Sequence, residues 1–141
     1  MYLLDTNVVS ALRLPKQNRA VRQWADQHSP RDMFISTITV TEITRGTELQ
    51  RKKNPDYARE LSKWLDEIIL QFADRVLALD VPIARRFGVL SAALGNKEID
   101  LAIAATALEH GLIVVTRNVQ DFIKTGVEIY DPFEGKTHKP T

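Results

Sequence analysis

Short apolar runs alternate along the chain with stretches whose apolar positions recur every three or four residues. Tyr2-Leu3-Leu4 stops at Asp5, and Val8-Val9 and Ala11-Leu12 follow, the pattern of a strand, a tight junction and a short helix. Residues 20–27 predict a second helix that buries Val21 and Trp24, and Met33-Phe34-Ile35 a second strand. Thr39-Val40-Thr41-Glu42 fits a capping box, so a helix is expected to start there and run toward Arg51, until Asn54-Pro55-Asp56 breaks it. Leu61, Trp64, Leu65, Ile68 and Phe72 recur at helical spacing, residues 76–79 read as a third strand, and Asp80-Val81-Pro82 opens a helix carrying Ile83, Phe87 and Leu90. The clearest helix covers residues 99–110 and ends at Gly111. A fourth strand at 112–115, a short helix at 119–124 and a fifth strand at 127–130 complete the pattern. The polar residues from 134 onward are expected to be loose.

Short unbroken apolar strands alternating with helices predict an α/β fold, a three-layer α/β/α sandwich around a central, mainly parallel five-stranded sheet. No internal repeat or linker interrupts it. Residues 1–133 therefore read as one domain and 134–141 as a polar C-terminal tail.

Composition narrows the chemistry. Apolar residues make 44% of the 141 and charged residues 26%, as in ordinary globular domains, which excludes disorder and low-complexity architectures. With no cysteine, a disulfide scaffold, a thiolate zinc site and a cysteine nucleophile are all excluded. His28, His110 and His138 match no zinc spacing, and no glycine-rich phosphate loop or nucleophile elbow is present. The longest largely apolar stretch, residues 101–108, is far too short for a bilayer, so no membrane partner is expected and the compartment is read as cytoplasmic. The net charge of +1 gives no global field. Residues 1–60 nevertheless hold ten Lys/Arg against seven Asp/Glu, which leaves room for a local basic surface.

The informative polar residues stand where strands end, the edge at which open α/β sheets bind ligands. Asp5 follows the first strand, Glu42 lies early in the helix after the second, and Thr116, Arg117 and Asn118 follow the fourth, with Asp121 one turn later. Asp100 aligns with Ile103, Ala104 and Ala107, so it projects from an apolar helix face, and the neighbouring alanines let that helix approach the sheet closely. Each acid has an ordinary explanation. Asp5 can cap a helix, Glu42 can close the capping box, Asp100 can complement a helix dipole, and Asn118 and Asp121 suit a turn. Together, several carboxylates at strand exits repel one another unless a cation holds them, and hard ions such as Mg²⁺ or Mn²⁺ use such ligands with water and a substrate phosphate.

Leu3-Leu4-Asp5-Thr6-Asn7, then Ile35-Ser36 leading to Thr41-Glu42 and Gly46, resemble the opening motifs of PIN-domain proteins. Asp100-Leu101-Ala102-Ile103-Ala104-Ala105-Thr106-Ala107, Val115-Thr116-Arg117-Asn118 and Asp121-Phe122 resemble the second half of that family, in its VapC-type and FitB-like toxin branch, over about residues 1 to 133. The resemblance implies a Mg²⁺- or Mn²⁺-dependent ribonuclease, the toxin of a toxin–antitoxin pair, which cuts RNA to leave 5′-phosphate and 3′-hydroxyl ends and is held inactive by a small cognate antitoxin. It implies a catalytic core of Asp5, Glu42 and Asp100. The family's fourth acidic position falls on Asn118 here, so Asp121 supplies the missing charge or Asn118 orients water. Asp5 and Asp100 are assigned as the metal ligands, and Thr6, Asn7 and Thr116 as hydrogen-bonding residues that hold the carboxylates in place. A homodimer is expected, with operator DNA reached only through the antitoxin. Two other readings remain open: a non-catalytic partner in an antitoxin–operator complex, and a small-molecule phosphohydrolase, which would call for a second acid where Asn7 stands. Arg13, Lys16, Arg19, Arg22, Arg45, Arg51, Lys52 and Lys53 are candidate RNA contacts, with a solvated helix face as their ordinary reading; Arg117, the cation nearest the site in sequence, is a candidate RNA contact or an anchor for the antitoxin.

Overall fold

The computed structural model describes residues 1–140. The chain runs β1 (Tyr2–Leu4), α1 (Thr6–Arg13), α2 (Arg19–Asp26), β2 (Met33–Ser36), α3 (Thr37–Arg51), α4 (Pro55–Phe72), β3 (Val76–Leu77), α5 (Val81–Leu94), α6 (Ile99–His110), β4 (Ile113–Val115), α7 (Val119–Phe122), β5 (Ile129–Asp131) and β6 (Lys136–His138). The sheet has the order β3-β2-β1-β4-β5-β6. The first five strands in sequence are parallel to their neighbours, and β6 pairs antiparallel with β5.

Alternation along the strands separates two cores. Leu4 and Val115 point to one face, where Val8, Val21, Trp24, Ile43 and Leu65 from α1 to α4 cover them. Leu3 and Val114 point to the other, against Ile103, Ala104 and Ala107 of α6 and Phe122 of α7. Residues 101 to 107 of α6 are all buried. Its alanines add little bulk, so the helix lies close to the sheet, as its composition predicts. Gly111 takes the left-handed conformation at φ 65° and ends α6, and Asp80 caps α5 through Oδ1, which accepts from the Ile83 N–H at 3.1 Å.

Three expectations are corrected. The helix after β2 begins at Thr37 rather than Thr39, because Ser36 at the strand end accepts the Ile38 N–H at 2.9 Å and is itself the cap. The third strand stops at Leu77 rather than residue 79. Its register pairs Ser36 with Leu77, and β2 turns into α3 at that point, which leaves Ala78 and Leu79 without a partner. The sheet has six strands instead of five, because the tail expected to be loose forms β6. Asp131 Oδ1 accepts the Phe133 and Glu134 N–H groups at 2.9 and 3.4 Å, and the Gly135 N–H, at φ 70°, returns to the Asp131 carbonyl at 2.8 Å. This turn reverses the chain and sets Tyr130 against Thr137.

Ala73, just past α4, has φ 49° and ψ −114°, a conformation that glycine adopts freely and alanine does not. Ala73→Gly is therefore expected to raise unfolding stability by about 1 kcal/mol, relief of strain outweighing the greater freedom of the unfolded chain, as read from urea melts. No gain, or a loss, would show that the turn carries no strain.

Candidate active site

β1 and β4 are adjacent, yet the chain leaves them toward opposite halves of the sheet, so the strand order reverses between them and a crevice opens past their carboxyl ends. Asp5 and Thr116 occupy its floor. The Asp5 N–H continues the ladder to the Val115 carbonyl at 2.9 Å, which turns its side chain into the seam. The carboxylate is only 3% exposed and accepts three hydrogen bonds. These come from the Thr6 N–H to Oδ1 at 2.8 Å, and from Thr116 Oγ1 and Asn7 Nδ2 to Oδ2 at 2.8 and 3.1 Å. Asp5 thus also caps α1.

The expected supporting residues form one connected network. Asn7 Oδ1 accepts the Arg117 N–H at 3.1 Å, so its amide ties the loop after β1 to the loop after β4. Thr116 Oγ1 donates to Asp5 and accepts the Asn118 N–H at 2.9 Å. Thr6 Oγ1 donates to Glu42 Oε1 at 2.6 Å and lies 3.1 Å from the hydroxyl of Thr39. Glu42 is therefore not a capping-box residue. It sits inside α3 with its carboxylate turned to the first loop. Thr39, fully buried and one helical turn before Glu42, was not anticipated as part of the site. The i, i+3 spacing of two polar residues on one face of α3 was the available signal.

Asp100 and Asp121 complete the cluster from the opposite side. Asp100 lies in the first turn of α6 and Asp121 in α7. Burial first, then the charges of Asp5, Asp121 and Glu42, together with a hydrogen bond to the Asp121 carboxyl, push the Asp100 pKa up to about 7. The Asp5 carboxyl is raised as well, chiefly by burial and against the pull of its Thr116 and Thr6 hydrogen bonds, with Glu42 and Asp121 adding repulsion. Asp5 and Asp100 thus both feel the charges of Glu42 and Asp121 at one edge of the sheet. Asn118 caps no helix with its side chain; its backbone N–H is held by Thr116.

No basic side chain neutralises this cluster among the described residues. The ion pairs among the described residues are Arg22–Asp26, Arg51–Glu48, Arg59–Asp56, Arg86–Glu109 and Lys136–Glu134. Hard, mutually repelling oxygen donors of this kind suit a hard divalent cation. Among the described residues, no three acidic or histidine side chains already close on a common cation position. The donor set fits the ion in chemistry, without forming a finished cage.

Three clefts reach the cluster. One of about 500 Å³ lies between α5, α6 and α7 and is lined by Asp100 and Asp121. A second, about 560 Å³, runs from Asp121 and Asn118 to the β5–β6 hairpin. The third, about 350 Å³, borders Thr6 and Glu42 and is walled by Tyr57, Leu61 and Trp64 of α4. Arg13, a sequence candidate for RNA contact, is instead engaged with this wall: its Nη2 donates to Tyr57 Oη at 2.9 Å and its guanidinium packs over Tyr57 and Trp64.

The raised Asp100 pKa fixes a sign. Its favourable neutral state is fully populated below about pH 4 and is lost as pH rises through about 7, so the charged carboxylate weakens the fold at pH 8. Asp100→Asn should therefore stabilise the metal-free protein at pH 8 by about 1–2 kcal/mol, the reduced figure reflecting a half-exposed group, and by almost nothing at pH 4. Thermal melts in EDTA across that range measure it. A variant no more stable than wild type at pH 8 would mean that the carboxylate is comfortably solvated.

The chain matches the PIN domain family over residues 2–128. It is similar to the toxin FitB of Neisseria gonorrhoeae, with 37% identity over 94% of this chain and 99% of FitB. It is also similar to the VapC ribonuclease Y4jK of Sinorhizobium fredii, with 34% identity over 95% of this chain and 99% of the relative. A solved structure of FitAB bound to an IR36 DNA fragment superposes with a TM-score of 0.82 at 35% identity, covering 98% of this chain and 99% of the FitAB chain. The sequence motifs, the acids gathered at the β1–β4 crevice and near full-length similarity agree: the chain belongs to the PIN-domain family, in the group that contains the FitB and VapC toxins.

Proposed function

We propose that this protein is a metal-dependent endoribonuclease and the toxin of a toxin–antitoxin pair, acting in the cytoplasm as a homodimer and inhibited by a cognate antitoxin. The observation that supports it most directly is the gathering of Asp5, Glu42, Asp100 and Asp121 at the switch point of the sheet, with Asp5 and Asp100 held above their ordinary pKa by burial and by neighbouring carboxylates. The relative named a VapC ribonuclease supports the reaction, and the one named toxin FitB the biological role. Operator DNA would be reached only through the antitoxin, in keeping with the DNA-bound FitAB structure.

Asp5 and Asp100 would hold Mg²⁺ or Mn²⁺, which supplies positive charge to a phosphodiester and lowers the pKa of water there. The chain's own residues do the rest. Thr116, Asn7 and the Thr6 N–H saturate three acceptor directions of Asp5 and so fix how its remaining oxygen surface faces the crevice. Glu42, oriented by Thr6 Oγ1, presents a second carboxylate able to accept a proton from water. Asp121, beside Asp100, fills the acidic role that Asn118 leaves open. Asn118 itself carries an uncharged amide at the edge of the crevice.

Purified, antitoxin-free protein is expected to cut total cellular RNA at discrete sites with Mg²⁺ or Mn²⁺ and not with EDTA. Asp100→Asn should abolish cutting, and Thr116→Ala should reduce it about 10- to 100-fold by loosening Asp5. Sequencing of the new ends reads both the sites and the 5′-phosphate. If the wild type is inert, and Asp100→Ala leaves cellular toxicity unchanged, the protein is instead a regulatory partner.

A further inference from the structure

The cleft between α7 and the β5–β6 hairpin contains a cation that the acidic cluster does not use. Arg117 follows Thr116 directly, and its backbone is held by Asn7 Oδ1. Its guanidinium carbon lies 3.8 Å from the centre of the Phe133 ring. Phe133 is fixed in turn, because its N–H is bound by the buried Asp131 at the start of the hairpin turn. Arg117 takes part in none of the ion pairs among the described residues and is exposed along its outer side. A guanidinium packed over an aromatic face keeps the forked N–H donors at its edge free in its own plane, an arrangement suited to phosphate oxygens.

The hairpin adds a second charge. β6 sets Lys136 opposite Asp131, on the wall of the same cleft. Its contact with Glu134, 3.6 Å between two side chains about two-thirds exposed, is too weak to occupy it. This cleft and the one containing Asp100 adjoin at Gln120 and Asp121, at the edge of the acidic cluster. Of the other sequence candidates, Arg13 packs on Tyr57 and Trp64, Arg22 pairs with Asp26 and Arg51 with Glu48, while Lys16, Arg19, Arg45, Lys52 and Lys53 line neither cleft.

We infer that Arg117, stacked on Phe133, and Lys136 of the C-terminal hairpin form a phosphate subsite that holds the RNA strand on one side of the bond cut at the acidic cluster. The inference rests on the ribonuclease reading and deepens it. The acids repel an RNA backbone, so the strand must be anchored by cations beside them; Arg117 and Lys136 stand at the hairpin end, and Lys124 on the Asp100 side. β6 then serves the substrate, although the PIN domain match ends at residue 128.

The test uses a single-stranded RNA carrying the protein's own cleavage site. Wild type, Arg117→Ala, Lys136→Ala, the double variant, Phe133→Leu and a remote control, Arg59→Ala, are compared. In Mg²⁺ or Mn²⁺, the double variant should raise KM about tenfold or more with kcat nearly unchanged. Arg59→Ala should match wild type, and Phe133→Leu should fall between wild type and Arg117→Ala. In EDTA, where nothing is cut, the slope of log affinity against log salt should drop by about 1.4 for the two lost contacts. Shortening the RNA from the bound end should erase the difference between wild type and variant. A double variant that keeps the wild-type KM and salt slope while cutting normally overturns the subsite alone. A wild type that neither binds nor cuts RNA overturns the ribonuclease reading and the subsite with it.

Discussion

The buried carboxylate of Asp5 is the constraint around which the rest of the molecule is arranged. A charged group at 3% exposure is tolerated only if its acceptors are filled, and each donor here comes from a place the fold must deliver. The Thr6 N–H requires α1 to start at once after β1. The Thr116 hydroxyl requires β4 to lie beside β1 in register, Leu4 against Val115. The Asn7 amide spans both loops. The same contacts that make Asp5 affordable in the core therefore lock the two strands at the switch point, and the crevice is a direct product of satisfying one side chain.

The acids across the crevice follow the opposite logic. Nothing among the described residues compensates Asp100, and the charges of Asp5, Asp121 and Glu42 oppose its own. The small side chains of α6 allow this, since only a helix close to the sheet can bring its first turn near Asp5. Stability is given up at this edge of the sheet, and the two cores beneath it, centred on Trp24, Ile35 and Leu65 and on Phe122, Ile103 and Ile129, supply the excess.

Much of this was legible in the chain. Apolar runs located the five parallel strands, and Asp80, Pro82 and Gly111 marked helix ends by rules that depend only on local backbone. Asp5, Glu42, Asp100 and Asp121 stood out as candidates because carboxylates at strand exits or on apolar helix faces are costly without a purpose. The failures were also local. Ser36 and Thr39 are both good caps, and only the end of β2 decides between them. β6 has no apolar pattern, because an edge strand of Lys-Thr-His is specified by the turn before it. Thr39 escaped because a buried threonine inside a helix looks like any other until its partner from 33 residues earlier is in place.

The sheet's two borders share a further property. At one end stands β3, two residues long; at the other stands β6, three polar residues including a lysine. Neither offers the long, flat, apolar row of unpaired amides on which another chain's strand can grow. Continuation of the sheet from molecule to molecule is thereby discouraged at both ends. Self-association and partner binding are left to the helical faces, where apolar side chains such as Leu70 of α4 and Val89 of α5 stand in solvent.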